Sequence, residues 1–515
     1  MSLLTLTQRV MECASALTIR AIQSQAISEE NHEPSATIPV AIVDFDPHEH
    51  PHQWPSYRKY TILLTVTLPI FLMPLTSTII APALDAIEAD FHVTSDVKGS
   101  LTVSLFLLTY CLGPLVLAPL SELLGRVPIQ QSGNVFFLAF NLAAGFSKSI
   151  TQLLVFRLLS GLGASASLAT GVSTTGDIFP KEQRGLSLAL LNMGPVLGSC
   201  LGPIAGGYVT DYSTWRWAFH ATSIFAGIII LTSLCLSRET YAPVLLRHKK
   251  QALQLTPAYK DLTLLTQFEQ ATNTTTPSTS KSQTLTTLYH RTLFRSLRLL
   301  LTQPIAQALP LYYGYIYGLV YLILSTFPTL WKTQYHLPAS TGSLHYLAPY
   351  IGYLQGAQTC ALVSDKIYLR LKTSNHGTGK PEFRLPLMIP ASLLVPIGFF
   401  IYGWSAQYRT HWIVPDIGIA LSLMGATVIF QCTSAYLLKA YSVYGASANG
   451  GVYILRGLTG FGFPLFSPVM YRVLGYGLGN SLLGFVAVVI GCPIPWVLWW
   501  FGERLRRKSS FADEV

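Results

Sequence analysis

Charge is what this chain has least of. Lys, Arg, Asp and Glu make up 11% of its 515 residues while half are hydrophobic, and an ordinary soluble domain carries about a quarter charged residues. Such a chain cannot cover itself with a water-facing surface, so a soluble globular fold is excluded. Cysteine is sparse too. The seven cysteines, Cys13, Cys111, Cys200, Cys235, Cys360, Cys432 and Cys492, lie mostly inside apolar stretches and show no C-x-x-C spacing, which reads as small apolar packing residues and not a thiolate metal site. No G-x-x-x-x-G-K-[S/T] phosphate loop is present, which removes an ATP-driven pump. No repeated His box or nucleophile arrangement stands at matching membrane depth, which argues against a multispan membrane enzyme. The stretch before Tyr60 has no continuous apolar core, so the first spanning helix, not a cleavable signal peptide, is expected to direct insertion.

What is abundant is apolar sequence in runs of about 20 residues, the length that crosses a bilayer as a helix. Such runs fall near 60–82, 99–121, 129–147, 151–177, 185–208 and 215–236, and again near 300–330, 339–363, 385–403, 412–436, 443–471 and 478–501. The reading is an all-α integral membrane protein, twelve transmembrane helices in two six-helix pseudo-symmetric bundles. Residues 1–57 are expected to be a cytosolic, mostly disordered tail, 58–236 the N-terminal bundle, 237–299 a cytosolic central linker, 300–502 the C-terminal bundle and 503–515 a cytosolic tail.

The net charge of +10 comes from basic residues that form no single patch, so no nucleic-acid partner is expected. Their placement encodes topology instead. Of the 34 Lys and Arg residues, six (Lys98, Lys148, Arg216, Lys332, Arg409 and Arg472) fall on one side of the twelve-span arrangement, two (Arg157 and Arg456) fall within spans, and all others fall on the side of the termini and linker. That bias marks the linker side as cytosolic. The only N-x-[S/T] sequon, at Asn273, falls in the linker and is expected to stay unglycosylated.

Certain residues carry more than topology. The segment A-P-L-S-E-L-L-G-R-V-P at 118–128 places Glu122 and Arg126 four residues apart at the cytosolic end of span 2, with Gly125 permitting a tight turn. Nearly the same spacing returns after span 8 as Ser364, Asp365, Lys366 and Arg370, as expected of an internally repeated transporter with a duplicated latch. The acidic residues near spans (Asp85, Glu88, Asp90, Glu122, Asp177, Asp211, Asp365 and Asp416) all fall at predicted span ends. With no midplane carboxylate, Arg157 and Arg456 suit neutral or anionic cargo better than a polycation. Tyr313, Tyr317 and Tyr321 recur every four residues in span 7, spacing that either lines an aromatic cavity or packs helices. His48, Glu49, His50 and His52 read as a flexible polar tail and not a metal site; no metal, cofactor or catalytic residue is expected.

From Trp54 onward the chain resembles the major facilitator superfamily, in particular its fungal twelve-span drug:proton antiporter branch. Residues 118–128 resemble that family's first signature, although Val127 stands where a second basic residue is common. Residues 198–207, G-S-C-L-G-P-I-A-G-G, resemble the antiporter signature of span 5, with Gly198, Gly202 and Gly206 on one helix face and Pro203 interrupting the backbone ladder. The stripe serves close packing, conformational switching, or both. Arg157 matches the family's buried arginine, associated with proton coupling, and needs a partner or an aqueous path. Asp177, Pro180, Arg184 and Gly185 resemble the loop after span 4; Trp215, Arg216, Trp217 and Phe219 the entry to span 6; Glu239, Thr240, Tyr241 and Pro243 the end of the first half; and Tyr436, Tyr441 and Ser447 spans 10 to 11, with Lys439 where an acidic residue is frequent.

The resemblance implies a monomeric, proton-coupled exporter of a small hydrophobic, neutral or weakly acidic compound (a drug, toxin or secondary metabolite). Candidates for its proton carrier are Asp85, Glu122, Asp177 and a histidine such as His220 or His345, plain hydrogen bonding being the favoured reading of each histidine, and the cell membrane is the default location over a vacuolar or other internal one. The alternative within the fold is an importer of a nutrient or vitamin.

Overall fold

The computed structural model describes residues 40–507 apart from 47–48, 94, 181–182, 257–262, 267, 269–297, 299 and 442–444. Asn273, His48, Lys181, the tail from 508 and the side chains of Arg184 and Ser447 lie outside the described residues.

Twelve helical columns follow in order. Span 1 is Ser56–Thr78 with a short extension Leu84–Asp90; span 2 is Asp96–Leu112 continued by Pro114–Leu124; spans 3 to 6 are Arg126–Gly145, Ile150–Ile178, Arg184–Tyr212 and Arg216–Leu236. Span 7 is Pro304–Thr333, and span 8 is assembled from Ala339–Leu344, Leu347–Thr359, a π-helical turn Cys360–Ser364 and Asp365–Ser374. Spans 9 and 10 are Met388–Gln407 and Ile413–Ala440. Span 11 starts at Gly445 and ends at Gly475, whose φ of 71° is non-helical, and span 12 continues from there to Arg507.

Among the described residues, seven helices qualify as membrane spans by length and composition alone, or eight counting the 42° bent pair of span 2 as one. Three of the four spans missing from that count have physical causes. Spans 11 and 12 run together as one helical stretch, span 8 is broken, and span 3 carries Gln130, Gln131, Asn134 and Asn141. Part of that polarity is met by neighbours: Gln130 donates to the Thr65 carbonyl (3.1 Å) and Asn141 Nδ2 to the Thr222 and Ser223 hydroxyls (2.9 and 2.8 Å), while Gln131 Oε1, Asn134 Nδ2 and Asn141 Oδ1 are buried without a partner among the described residues. Side chains satisfied inside the bundle need not face lipid.

Helix pairing repeats between the halves. Span 1 packs on 5, span 2 on 4, span 3 on both 4 and 6; six spans later, 7 packs on 11, 8 on 10, and 9 on both 10 and 12. The halves meet along two seams related by the same shift, span 2 against 11 and span 5 against 8.

The predicted tail is more ordered than its composition suggests. Strand β1 (Val40–Val43) pairs in parallel with β2 (Thr263–Thr266) of the linker. The linker helix Ala242–Gln254 covers them, burying Leu246 with Val43 and Leu264. Lys249 of that helix holds Asp46 (3.3 Å), Glu49 (2.6 Å) and the Asp44 carbonyl (3.0 Å). Two short apolar runs, each unremarked in a polar context, need one another to bury a face. Among the described residues, no three His, Cys, Asp or Glu side chains gather as a metal site.

Candidate functional site

Three zones stand out: a latch within each half, an arginine-aromatic box at the seam between the halves, and a closed gate at the end away from the linker.

The latch corrects the expected Glu122–Arg126 pairing. Gly125 adopts φ 106° and ends span 2, so Arg126 opens a new helix and Glu122 is not one helical turn below it. Glu122 is exposed, whereas buried Arg126 donates to Asp177 of span 4 (3.3 Å) and to the Ser121 hydroxyl (2.6 Å), with its guanidinium 4.6 Å from the Tyr241 ring centroid. A residue given no role from sequence completes the knot. The Glu239 carboxylate accepts from the backbone amides of Arg126 (3.0 Å), Val127 (3.2 Å), Thr240 (3.1 Å) and Tyr241 (3.0 Å), capping the start of span 3 where unpaired amides favour an anion. A Cβ at Gly125 would lie 2.4 Å from Glu239 Oε2, so the carboxylate and the glycine need each other. Glu239→Ala is expected to lower stability by about 1–2 kcal/mol, the scale of a lost helix cap, read as a lower melting temperature of the purified protein; an unchanged melt removes Glu239 from the latch.

The second half repeats this chemistry with another cation. Arg384, not Lys366 or Arg370, donates to Asp365 (2.5 Å) and the Ser364 hydroxyl (3.2 Å) and lies 4.7 Å from the Tyr368 ring; Lys366 and Arg370 are exposed. Lys439 meets the same ring, donating to the Tyr368 hydroxyl. Sequence spacing missed Arg384 because it arrives from the next loop.

Span 5 packs through the predicted glycines. Cβ atoms at Gly198, Gly202 and Gly206 would lie 2.2 Å from the Phe71 carbonyl, 2.3 Å from the Thr78 hydroxyl and 1.9 Å from the Ile79 carbonyl, all in span 1 or just beyond it. Pro203 lies within the same helix. The neighbouring Gly207, outside the predicted stripe, faces the other half: its Cβ would lie 2.2 Å from Ser343 Oγ and 2.5 Å from the Ala339 carbonyl.

Arg157 is fully buried, and its partners are carbonyls. It donates to Thr102 (2.8 Å), Thr76 (3.3 Å) and Ser77 (3.5 Å), and lies 4.4 Å from the Phe106 ring centroid. Thr76 and Ser77 belong to the last turn of span 1, whose carbonyls lack helical partners and carry the negative end of the helix dipole. Arg157 therefore ties spans 1, 2 and 4 together.

The box lies where span 11 crosses span 2. Arg456 sits 4.6 Å from the Tyr317 ring and 5.8 Å from that of Tyr453, beside Cys111. Tyr313, Tyr317 and Tyr321 form a continuous wall with centroid spacings of 6.4 and 4.8 Å, and Phe430 stands 4.3 Å from Tyr313. The expected ladder is thus a buried surface at the seam.

The far end is shut. Lys332 of span 7 pairs with Asp85 after span 1, the Ser340 amide donates to Asp211 at the end of span 5 (2.7 Å), and the Cys200 thiol approaches the Tyr346 carbonyl (3.4 Å). Below the short helix Ala339–Leu344 lies a pair the sequence left unjoined: His345 Nδ1 and Asp416 Oδ2, 2.7 Å apart and both largely buried. Trp331 stacks on the imidazole at 3.5 Å, and Asp416 Oδ1 has no hydrogen-bond partner. Of the other expected proton carriers, His220 rests against Phe146 (4.8 Å), Asp85 and Asp177 are held by Lys332 and Arg126, and Glu122 is exposed.

Known proteins share this architecture. The chain is similar to efflux pump vrtL of Penicillium aethiopicum, 38% identical over 90% of each chain, and to MFS-type transporter penM of Penicillium rubens, 39% identical over 90% of this chain and 89% of the relative. Its fold resembles that of the xylose transporter XylE from E. coli in a partially occluded inward open conformation, with a TM-score of 0.62 at 15% identity over 87% of this chain and 98% of the other. A family model described as Major Facilitator Superfamily matches residues 66–464. With that match spanning both six-helix halves and the seam between them, the chain belongs to the Major Facilitator Superfamily and is a multi-pass membrane transporter, not an enzyme.

Proposed function

We propose that this transporter exports a small hydrophobic, neutral or weakly acidic organic compound from the cytosol, driven by protons moving inward, and works as a monomer in the cell membrane. The observation that carries the reading is the seam: pairs related by the internal repeat join the halves, and the far end is closed by Lys332–Asp85 and Ser340–Asp211. Such a layout suits alternate exposure of a central site. The basic bias of the linker side supports its being cytosolic, so the closed gate faces outward. The names of curated relatives, among them an efflux pump of Penicillium aethiopicum and a probable efflux pump of Aspergillus flavus, support the direction. The reading is tested by untargeted comparison of small molecules inside cells and in medium, with the gene intact and deleted. A compound retained inside deleted cells and depleted outside is expected; one left unused in the medium means import instead.

For the proton we assign the His345–Asp416 pair. It is the buried carboxylate–imidazole contact of the described spans, and His345 sits at the bend carrying the helix that plugs against span 5. One proton held between the two cancels the carboxylate's charge in a site walled by Trp331 and Trp412, which ties gate closure to proton occupancy. Once a cargo is identified, His345→Asn is expected to reduce accumulation against a gradient at least tenfold while cargo exchange at equal concentrations persists. Equal loss of both makes the pair structural, and intact uphill transport removes it from coupling.

A further inference from the structure

Two arginines lie deep inside the spans, and only one has a partner for every guanidinium nitrogen. Arg157 is spent on the Thr76, Ser77 and Thr102 carbonyls. Arg456 is not. The Cys111 thiol and the Tyr313 hydroxyl lie within hydrogen-bonding reach of its guanidinium, yet its Nε is buried without a partner, and among the described residues no carboxylate pairs with it. The groups around it are neutral: Tyr317 and Tyr453 under the guanidinium, Cys111 and Tyr110 from span 2, Tyr313 and Tyr321 from span 7, and Tyr353 from span 8. Ring faces offset only part of the cost of holding a cation there.

The position matters as much as the deficit. Arg456 lies one residue before Gly457, whose Cβ would stand 2.9 Å from that of Cys111 across the seam, and four before Gly460, which meets Leu107 and Tyr317. Both halves therefore reach this cation, so what binds it bridges the parts that move during alternation.

We propose that Arg456 is the counter-ion of the cargo: the site takes a planar aromatic acid, its carboxylate or acidic phenolate forked on the guanidinium and its ring laid against the Tyr313–Tyr317–Tyr321 wall. Guanidinium and carboxylate match in two parallel hydrogen bonds, and offset aromatic contact with the tyrosine wall adds to them. The proposal rests on the transporter reading and narrows it from hydrophobic or weakly acidic compounds to aromatic anions.

The test is equilibrium binding to the purified full-length protein in a neutral maltoside detergent and chloride-free buffer, read by calorimetry. The probes are 2-naphthoate, its neutral isostere 2-naphthamide, and octanoate, which carries the charge without the ring. Wild type is expected to bind 2-naphthoate at least tenfold more tightly than either of the others. In Arg456→Gln the advantage over the amide disappears, Arg456→Lys retains part of it, and Tyr317→Leu weakens both aromatic probes together. Naphthoate binding no tighter than naphthamide, no binding of either, or unchanged preference in a monodisperse Arg456→Gln protein overturns the proposal. Octanoate binding as tightly as naphthoate marks a site for lipid-type anions and overturns the aromatic class. Because the measurement needs neither a proton gradient nor a direction, failure of the export reading leaves its outcome independent.

Discussion

A Gly206→Val protein is expected to reach membranes at less than a tenth of the wild-type level, with its neighbour Gly207→Val accumulating normally. The two glycines are adjacent, yet they face different partners. At Gly206 a Cβ would lie 1.9 Å from the Ile79 carbonyl of the same half. Backbone cannot rotate away as a side-chain tip can, and forcing spans 1 and 5 apart costs about 3 kcal/mol or more. It also withdraws the packing that close backbone approach provides in a bilayer, where apolar surface gains nothing by leaving lipid. At Gly207 the Cβ would meet Ser343 Oγ and the Ala339 carbonyl of the opposite half, so each half folds undisturbed and only their closure is hindered. Fluorescence of a tagged protein measures the levels. The gate is read by attack of a membrane-impermeant maleimide on Ser340→Cys, buried in the closed gate, in a background cleared of native cysteines. Labelling is expected to rise several-fold in Gly207→Val. Equal levels for the two variants, or unchanged labelling, contradict this division of roles.

Replacing Arg157 by Met is expected to destabilise the protein by about 3 kcal/mol or more, the scale of several buried acceptors left without a donor. Three carbonyls, those of Thr76, Ser77 and Thr102, lose their donor at once, each at about 1–3 kcal/mol before relaxation. Two of them end span 1, so fraying is expected to begin there. Arg157→Lys keeps the charge but has a single nitrogen to serve carbonyls from two helices, and an intermediate loss follows. Thermal unfolding of purified protein measures the order wild type, Lys, Met. A Met variant that melts like wild type but no longer transports means that Arg157 acts in coupling and not in architecture.

Much of this was legible from residues alone, and the particular elements say why. The expected span 4 at 151–177 lies within one residue at either end of the helix Ile150–Ile178, and the expected span 6 at 215–236 differs by one residue from Arg216–Leu236. A bilayer demands about 20 apolar residues from each helix, so hydropathy writes the spans directly into sequence. Local backbone chemistry was half legible. Gly125 was expected to permit a tight turn, but the positive φ that it adopts divides two helices and so dissolves the Glu122–Arg126 pair that helical spacing implies. The partners of Arg126 were not legible: Asp177 lies 51 residues along the chain and Glu239 lies 113. Nor was Arg384, which reaches Asp365 from a loop, or Gly207, which differs from Gly206 only in the helix it faces.

By itself the sequence determined the solvent of this protein, the number and course of its spans, the repeat of its halves and the placement of its basic residues, because each follows from composition and short-range periodicity. Tertiary structure alone decided which charge meets which: that Arg157 finds carbonyls while Arg456 finds rings and a thiol but no carboxylate, and that His345 and Asp416, 71 residues apart, share a contact beneath a closed gate. The reason is dielectric. In the dry interior of a bundle a charge depends on whatever lies within a few ångströms, and which residues lie that close is settled only when the helices have packed.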